Sequence, residues 1–235
     1  PAGGGGVPPV MHLSSRRAVR EHTQSNRQRD QGSAYIEAVQ EAMSRWRPER
    51  SSAAALPAPA MPRSAAWKGP AEVAVLMVSD LQIGKKTVSY DAEIARQRMQ
   101  MYARKALAEC QSRRQSQRLT SCRIWLLGDI IEGDDIFAGQ VFEIDRSLIE
   151  QITAAATMLE EFVLACLGFF EHVHVCGVPG NHGRIGRRGQ HHKQTNGDTF
   201  VYINLELRLR GIPSERLSCD LPDEYAVRWH HVDNI

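Results

Sequence analysis

Three short polar turns carry the residues of this 235-residue chain that could do chemistry: SDLQIG at 79–84, LLGDIIEG at 126–133 and VPGNHG at 178–183. They supply Asp80 and Gln82, Asp129 and Glu132, and Asn181 and His182, each just behind an apolar run. Carboxylate and amide oxygens together with imidazole suit hard or borderline divalent ions such as Mn²⁺, Mg²⁺, Fe²⁺ or Zn²⁺, not the soft metals that thiolates select. Two such ions ~3.5–4 Å apart generate a nucleophile from water at neutral pH and clamp phosphoryl oxygens during an in-line displacement. Holding them together calls for a bridging carboxylate. Taken singly, each turn also has a plain reading: Gly and Pro around Asn181-His182 make a strand-ending turn whatever its side chains do.

The elements that must position these turns favour the chemical reading. Residues 73–78 (VAVLMV) are continuously apolar, as expected of a strand covered on both faces, and the mainly apolar runs 124–127 (IWLL) and 173–178 (VHVCGV) are expected to be the second and third strands. Between them lie two helical patterns. In 91–113, Ala95, Met99, Tyr102, Ala106 and Cys110 recur at spacings of three and four; in 147–167, Leu148, Ile152, Ala155, Leu159, Phe162 and Cys166 form one stripe. Strand, helix, strand, helix, strand predicts an α/β fold with a largely parallel sheet. Asp80, Asp129 and Asn181 are separated by 49 and 52 residues, each gap one loop, one helix and one strand. Ligands of such sheets bind at the carboxyl ends of the strands, so the three turns are expected to converge on one site.

Composition sets the rest of the frame. At 42% hydrophobic residues the chain can bury one core and retain an appendage. Residues 1–70 hold ten Arg and Lys against five Asp and Glu, whereas the remainder holds 19 against 22. Residues 1–67 are therefore expected to be a disordered basic segment, with one short helix at about 33–47 (Ile36, Val39, Met43 and Trp46 on one face) and an Ala/Pro linker. The second domain is expected over 68–235. Five scattered cysteines form no CxxC pair and fit a reducing compartment. No apolar stretch reaches the ~18 residues of a membrane span, so a cytoplasmic protein without membrane attachment is expected.

SDLQIG, LLGDIIEG and VPGNHG resemble the first three motifs of the calcineurin-like metallophosphoesterase superfamily, whose pattern runs D-x-H, G-D-x-x-D/E and G-N-H-D/E, each after a strand. The resemblance spans about residues 70–185 and implies a layered α/β sandwich with largely parallel or mixed sheets, incomplete at its carboxyl terminus. It implies two divalent ions, Mn²⁺ foremost, with Asp80 on the first metal, Asp129 bridging and Asn181 on the second. His182 would face the scissile phosphate, oriented by Glu132 as an acid–base dyad. The activity implied is that of a metal-dependent phosphodiesterase or nuclease, similar to the repair-exonuclease branch found in bacteria and phages.

The pattern departs from the family in three places. Gln82 stands where the family has His, a neutral oxygen donor that shifts preference towards Mn²⁺ or Mg²⁺. Gly183 replaces an acidic residue, leaving Glu132 as the expected orienting carboxylate. No G-H-x-H follows, so the remaining His ligands are expected beyond Ile235; His230-His231 reads as a surface pair, with one of the missing ligands as its alternative, and His191-His192 as a phosphate-contacting or solvated pair. Arg184, Arg187, Arg188 and Lys193 after the third turn, with Lys85-Lys86 after the first, suit a polyanionic substrate such as DNA or RNA, or serve a phosphatase loop of any specificity. The acidic segment 133–145 interrupts any continuous basic groove. The alternative to an enzyme is a catalytically incomplete scaffold that binds nucleic acid or a protein partner.

Overall fold

A computed structural model describes residues 71–186, 189, 191–192 and 195–221. The expected amino-terminal helix and linker, Arg187, Arg188, Lys193 and the His230-His231 pair lie outside these. Four strands, β1 (Ala71–Val78), β2 (Arg118–Leu126), β3 (His172–Gly177) and β4 (Leu217–Asp220), form one sheet in the order β1-β2-β3-β4, with every neighbouring pair parallel. Helix α1 (Ala92–Arg113) links β1 to β2, α2 (Leu148–Leu167) links β2 to β3, and α3 (Gly197–Leu209) links β3 to β4. The α/β class and the first three strands follow the pattern expected from the sequence. Helix α3 and strand β4 add a third crossover.

Each helix begins where its sequence provides a cap. Asp91 accepts the Ile94 N–H at 2.8 Å, and Glu150 reaches back to the Ser147 N–H at 2.8 Å. Asn196 accepts the Asp198 N–H at 2.8 Å. The expected stripes are the buried ones: Ala95, Met99 and Cys110 on α1, and Ile152, Ala155, Leu159, Phe162 and Cys166 on α2. Tyr102 of α1 stacks on Phe162 of α2 with ring centroids 5.6 Å apart, which fixes the two helices side by side.

Burial of the strands corrects one expectation. Leu76, Val78, Cys122, Ile124, Leu126, Val173 and Val175 join the three helices in a single core, but the alternate positions do not. Val75 is 36% exposed, Met77 58% and Leu127 46%. Among the described residues the helices cover one face of the sheet only. A continuous apolar run is compatible with burial on both faces, yet it does not reveal how many layers flank the strand. No helix among the described residues is long and apolar enough to cross a membrane.

Candidate active site at the carboxyl edge of the sheet

The three polar turns meet as backbone on backbone. Past the ends of the strands, Asp80 N–H donates to Gly128 C=O at 3.2 Å, Gln82 N–H to Asp129 C=O at 3.0 Å, and Ile83 N–H to Ile130 C=O at 2.9 Å. The first turn thus continues to pair with the second. The third is brought in by Gly128 and Gly180, which touch: a Cβ on Gly128, already at φ +88°, would stand 2.5 Å from Gly180 N, and a Cβ on Gly180 would overlap the Asp129 amide and carboxylate. Across this contact His182 N–H donates to Asp129 Oδ1 at 2.7 Å.

Asp80, Gln82 and Asp129 have φ of 53°, 42° and 51°, and among the described residues they are the non-glycine positions in the left-handed region. That conformation costs about 1–2 kcal/mol per residue and persists only where the surroundings impose it. Here pairing of the turns imposes it, on three of the four side chains expected to ligate metal.

His182 Nδ1 lies 3.2 Å from Glu132 Oε2, with the Glu132 side chain 4% exposed and that of His182 22%. Neither atom has a well-aligned hydrogen bond elsewhere, so each depends on the other for its electrostatic partner. Glu132 is itself held by the fully buried Gln140, whose Nε2 donates to the Glu132 carbonyl at 2.9 Å and to Oε1 at 3.2 Å. A second buried amide, Gln151, accepts the Gly133 N–H at 2.9 Å and donates to the Gly133 carbonyl at 3.1 Å, bracing the loop on the other side of Glu132.

The other expected site residues divide. Asp80 and Asn181 are exposed at the edge. Gln82 Oε1 accepts a hydrogen bond from the Lys85 ammonium at 2.8 Å, so Lys85 belongs to the first turn's own polar cluster and places a positive charge beside that oxygen. Arg184 is half-buried, its backbone bridging to Asn196. His191 is half-buried and His192 exposed in the following loop. Among the described residues no three His, Cys, Asp or Glu side chains gather as a metal cluster. The donors that do share the edge are two carboxylates and two amide oxygens, a set that fits hard cations and is thin for two of them.

Two polar residues of this edge had no place in the sequence reading. Asp198, in the first turn of α3, is fully buried and accepts N–H groups from Asp129 (2.9 Å), Gly180 (2.8 Å), Ile130 (3.0 Å) and Ile131 (3.2 Å). Burial raises its pKa to about 6, against the opposing pull of the N–H groups; both of its oxygens accept N–H groups, the arrangement that suits a carboxylate. Asn196 donates to the Gly180 carbonyl at 2.9 Å. These two also account for Gly183: a side chain there would overlap Asn196 Oδ1 and stand 2.8 Å from Asp198 N. The Asn-Gly-Asp that opens the apolar run of α3 is a visible helix start, but its grip on backbone groups has no sequence signature.

Comparison with known proteins found no matching family model and no matching curated protein. The geometry of the edge and the three motifs therefore carry the functional reading.

Proposed function

We propose that this chain is a metal-dependent phosphoesterase of the calcineurin-like type, acting on phosphodiesters and, among these, on DNA or RNA. The observation that carries the reading is the left-handed backbone at Asp80, Gln82 and Asp129, at strand ends that the motifs already marked as ligand-bearing. Strain of this kind at a convergent polar edge is a mark of functional sites.

Asp80, Gln82, Asp129 and Asn181 would hold two divalent cations, Mn²⁺ foremost. When bound, such ions supply Lewis-acid polarisation of phosphoryl oxygens and a lowered pKa for water. The chain's own groups do the rest. Glu132 faces Nδ1 of His182 and thereby orients the ring, leaving Nε2 as the atom that passes a proton to the leaving oxygen. Gln140 keeps the Glu132 carboxylate from turning away. Arg184, Arg187, Arg188 and Lys85 supply positive charge for a phosphate backbone. The layered sandwich expected of this family is part of the same proposal.

One observation favours the scaffold alternative: Lys85 donates to the Gln82 oxygen that would ligate a cation. Hydrolysis of bis(p-nitrophenyl) phosphate and of single-stranded DNA with added Mn²⁺ separates the two. Turnover that needs Mn²⁺ and is lost in Asp129→Asn supports the enzyme. Binding of DNA with no Mn²⁺-dependent turnover supports the scaffold.

A further inference from the structure

The geometry points to Asp198 as the positioning residue of the metal-binding edge, a carboxylate that clasps the second and third turns together from behind. This rests on the metal-dependent reading above and extends it to a residue outside all three motifs. The left-handed Asp129 turns the successive N–H groups of Asp129, Ile130 and Ile131 into one concavity, the kind of backbone nest that binds anions. In this chain the concavity is filled from within. Asp198 Oδ1 takes the Ile130 and Ile131 N–H groups, while Oδ2 takes those of Asp129 and Gly180, so one oxygen spans both turns.

The third turn is gripped twice. Its Gly180 N–H goes to Asp198 and its Gly180 carbonyl to Asn196, two residues of the same helix start. Since Asn196 also accepts the Asp198 N–H, the pair is one rigid unit built on the end of α3. Asp129 and Asn181 sit directly on the backbone so held. Their separation, which a shared cation centre must match, is set by a side chain that never touches the cation.

The same hydrogen bonds exclude another role. A nest at a phosphoryl site is an obvious place for substrate phosphate, but here its three donors, and the Gly180 N–H beside them, are already spent on a buried carboxylate. Substrate phosphate must be met by side chains on the open side of the edge.

Asp198→Asn tests this. Its shape is preserved, but whichever way the amide turns, its NH₂ faces two of the four buried N–H donors. The test compares wild type, Asp198→Asn and Arg208→Leu, the last removing the 2.8 Å ion pair of α3 with Glu160 at the far end of the same helix. Amide hydrogen exchange on metal-free protein reads the clasp, and Mn²⁺ calorimetry reads the ligands. The expected result is faster exchange at the Asp129, Ile130, Ile131 and Gly180 amides of Asp198→Asn, with Mn²⁺ affinity about 10–100-fold weaker, as when outer-shell partners are removed. Arg208→Leu should lower the melting temperature while leaving those amides and Mn²⁺ affinity unchanged. If Asp198→Asn fails to fold, Asn196→Ala replaces it, with the same pattern expected in milder form. Unchanged exchange at the four amides, or faster exchange with unchanged Mn²⁺ affinity, overturns the proposal. A wild-type chain that binds no Mn²⁺ overturns the metal reading instead, and the metal-free exchange data tell that failure apart.

Discussion

The Asp129 carboxylate accepts the backbone N–H of His182 at 2.7 Å, so a side chain of the second turn fixes the backbone of the third between Asn181 and His182. A carboxylate bound this way has one oxygen committed to architecture and the other available to a cation. The imidazole of His182 is then aimed by Glu132 from the opposite side. The proposed metal ligand and the proposed proton donor are thus tied to one another through backbone, which makes single substitutions separable only when the replacement respects that backbone.

Asp129 illustrates the point. An alanine there loses the bond to His182 N–H, worth about 1 kcal/mol, and sits in a left-handed conformation that Asn and Asp tolerate better, at about 1 kcal/mol more. Asp129→Ala should therefore lower stability by about 2 kcal/mol in urea unfolding, although the residue is not in the core. Asp129→Asn keeps both the acceptor and the backbone preference, and its unfolding midpoint should stay close to that of wild type. A larger loss in the Asn variant would mean that the charge itself supports the fold.

His182→Ala should keep metal and lose turnover by about 10²–10⁴, the range for removal of a general acid. Mn²⁺ calorimetry and steady-state hydrolysis of bis(p-nitrophenyl) phosphate measure the two quantities on the same preparation. Glu132→Gln should lower turnover in the same direction by a smaller factor, since the ring keeps a polar neighbour of the same shape. Reduced Mn²⁺ binding by His182→Ala would make the imidazole a ligand instead.

Gly180→Ala should be costly out of proportion to one methyl group. Its Cβ would overlap the Asp129 amide and carboxylate, and backbone cannot yield as a flexible side chain does. Overpacking of this sort costs about 1–3 kcal/mol, and the forced separation of the turns should weaken Mn²⁺ binding as well. Thermal unfolding and a Mn²⁺ titration together test this; an alanine variant with wild-type values in both would show that the turns are not touching.

Replacing Arg184, Arg187 and Arg188 together with alanine should weaken DNA or RNA binding and flatten its salt dependence. Every phosphate that is no longer neutralised lowers the log–log slope by ~0.9 on a duplex or ~0.7 on a single strand. Hydrolysis of the small chromogenic diester should change little. An equal fall in both would assign the arginines to the reacting phosphate.

Much of this architecture was legible in the residues. The runs at 73–78, 124–127 and 173–178 fell on β1, β2 and β3, although β2 begins at Arg118 and Leu127 and Val178 lie just past the strand ends, and the stripes through Met99 and Phe162 became buried helix faces. The convergence of the Asp80, Asp129 and His182 turns followed from parallel topology alone. What stayed hidden depended on backbone. The exposure of Met77 reflects how many layers flank the sheet, which an apolar run does not encode. Asp198 went unread because its four partners are backbone N–H groups, which carry no residue signature. Gly183 looked like a lost carboxylate, whereas its space is taken by Asn196 and Asp198.

The measurement that bears most directly on the central claim is a Mn²⁺ titration by calorimetry of the 235-residue chain beside its Asp129→Asn variant. With two carboxylates and two neutral amides as donors, the chain should show weak but saturable Mn²⁺ binding, and the variant, folded and differing only in one amide for one carboxylate, should show none. Superimposable titrations of the two proteins, or a wild-type chain that takes up no Mn²⁺ at all, would contradict a metal centre at the carboxyl edge of this sheet.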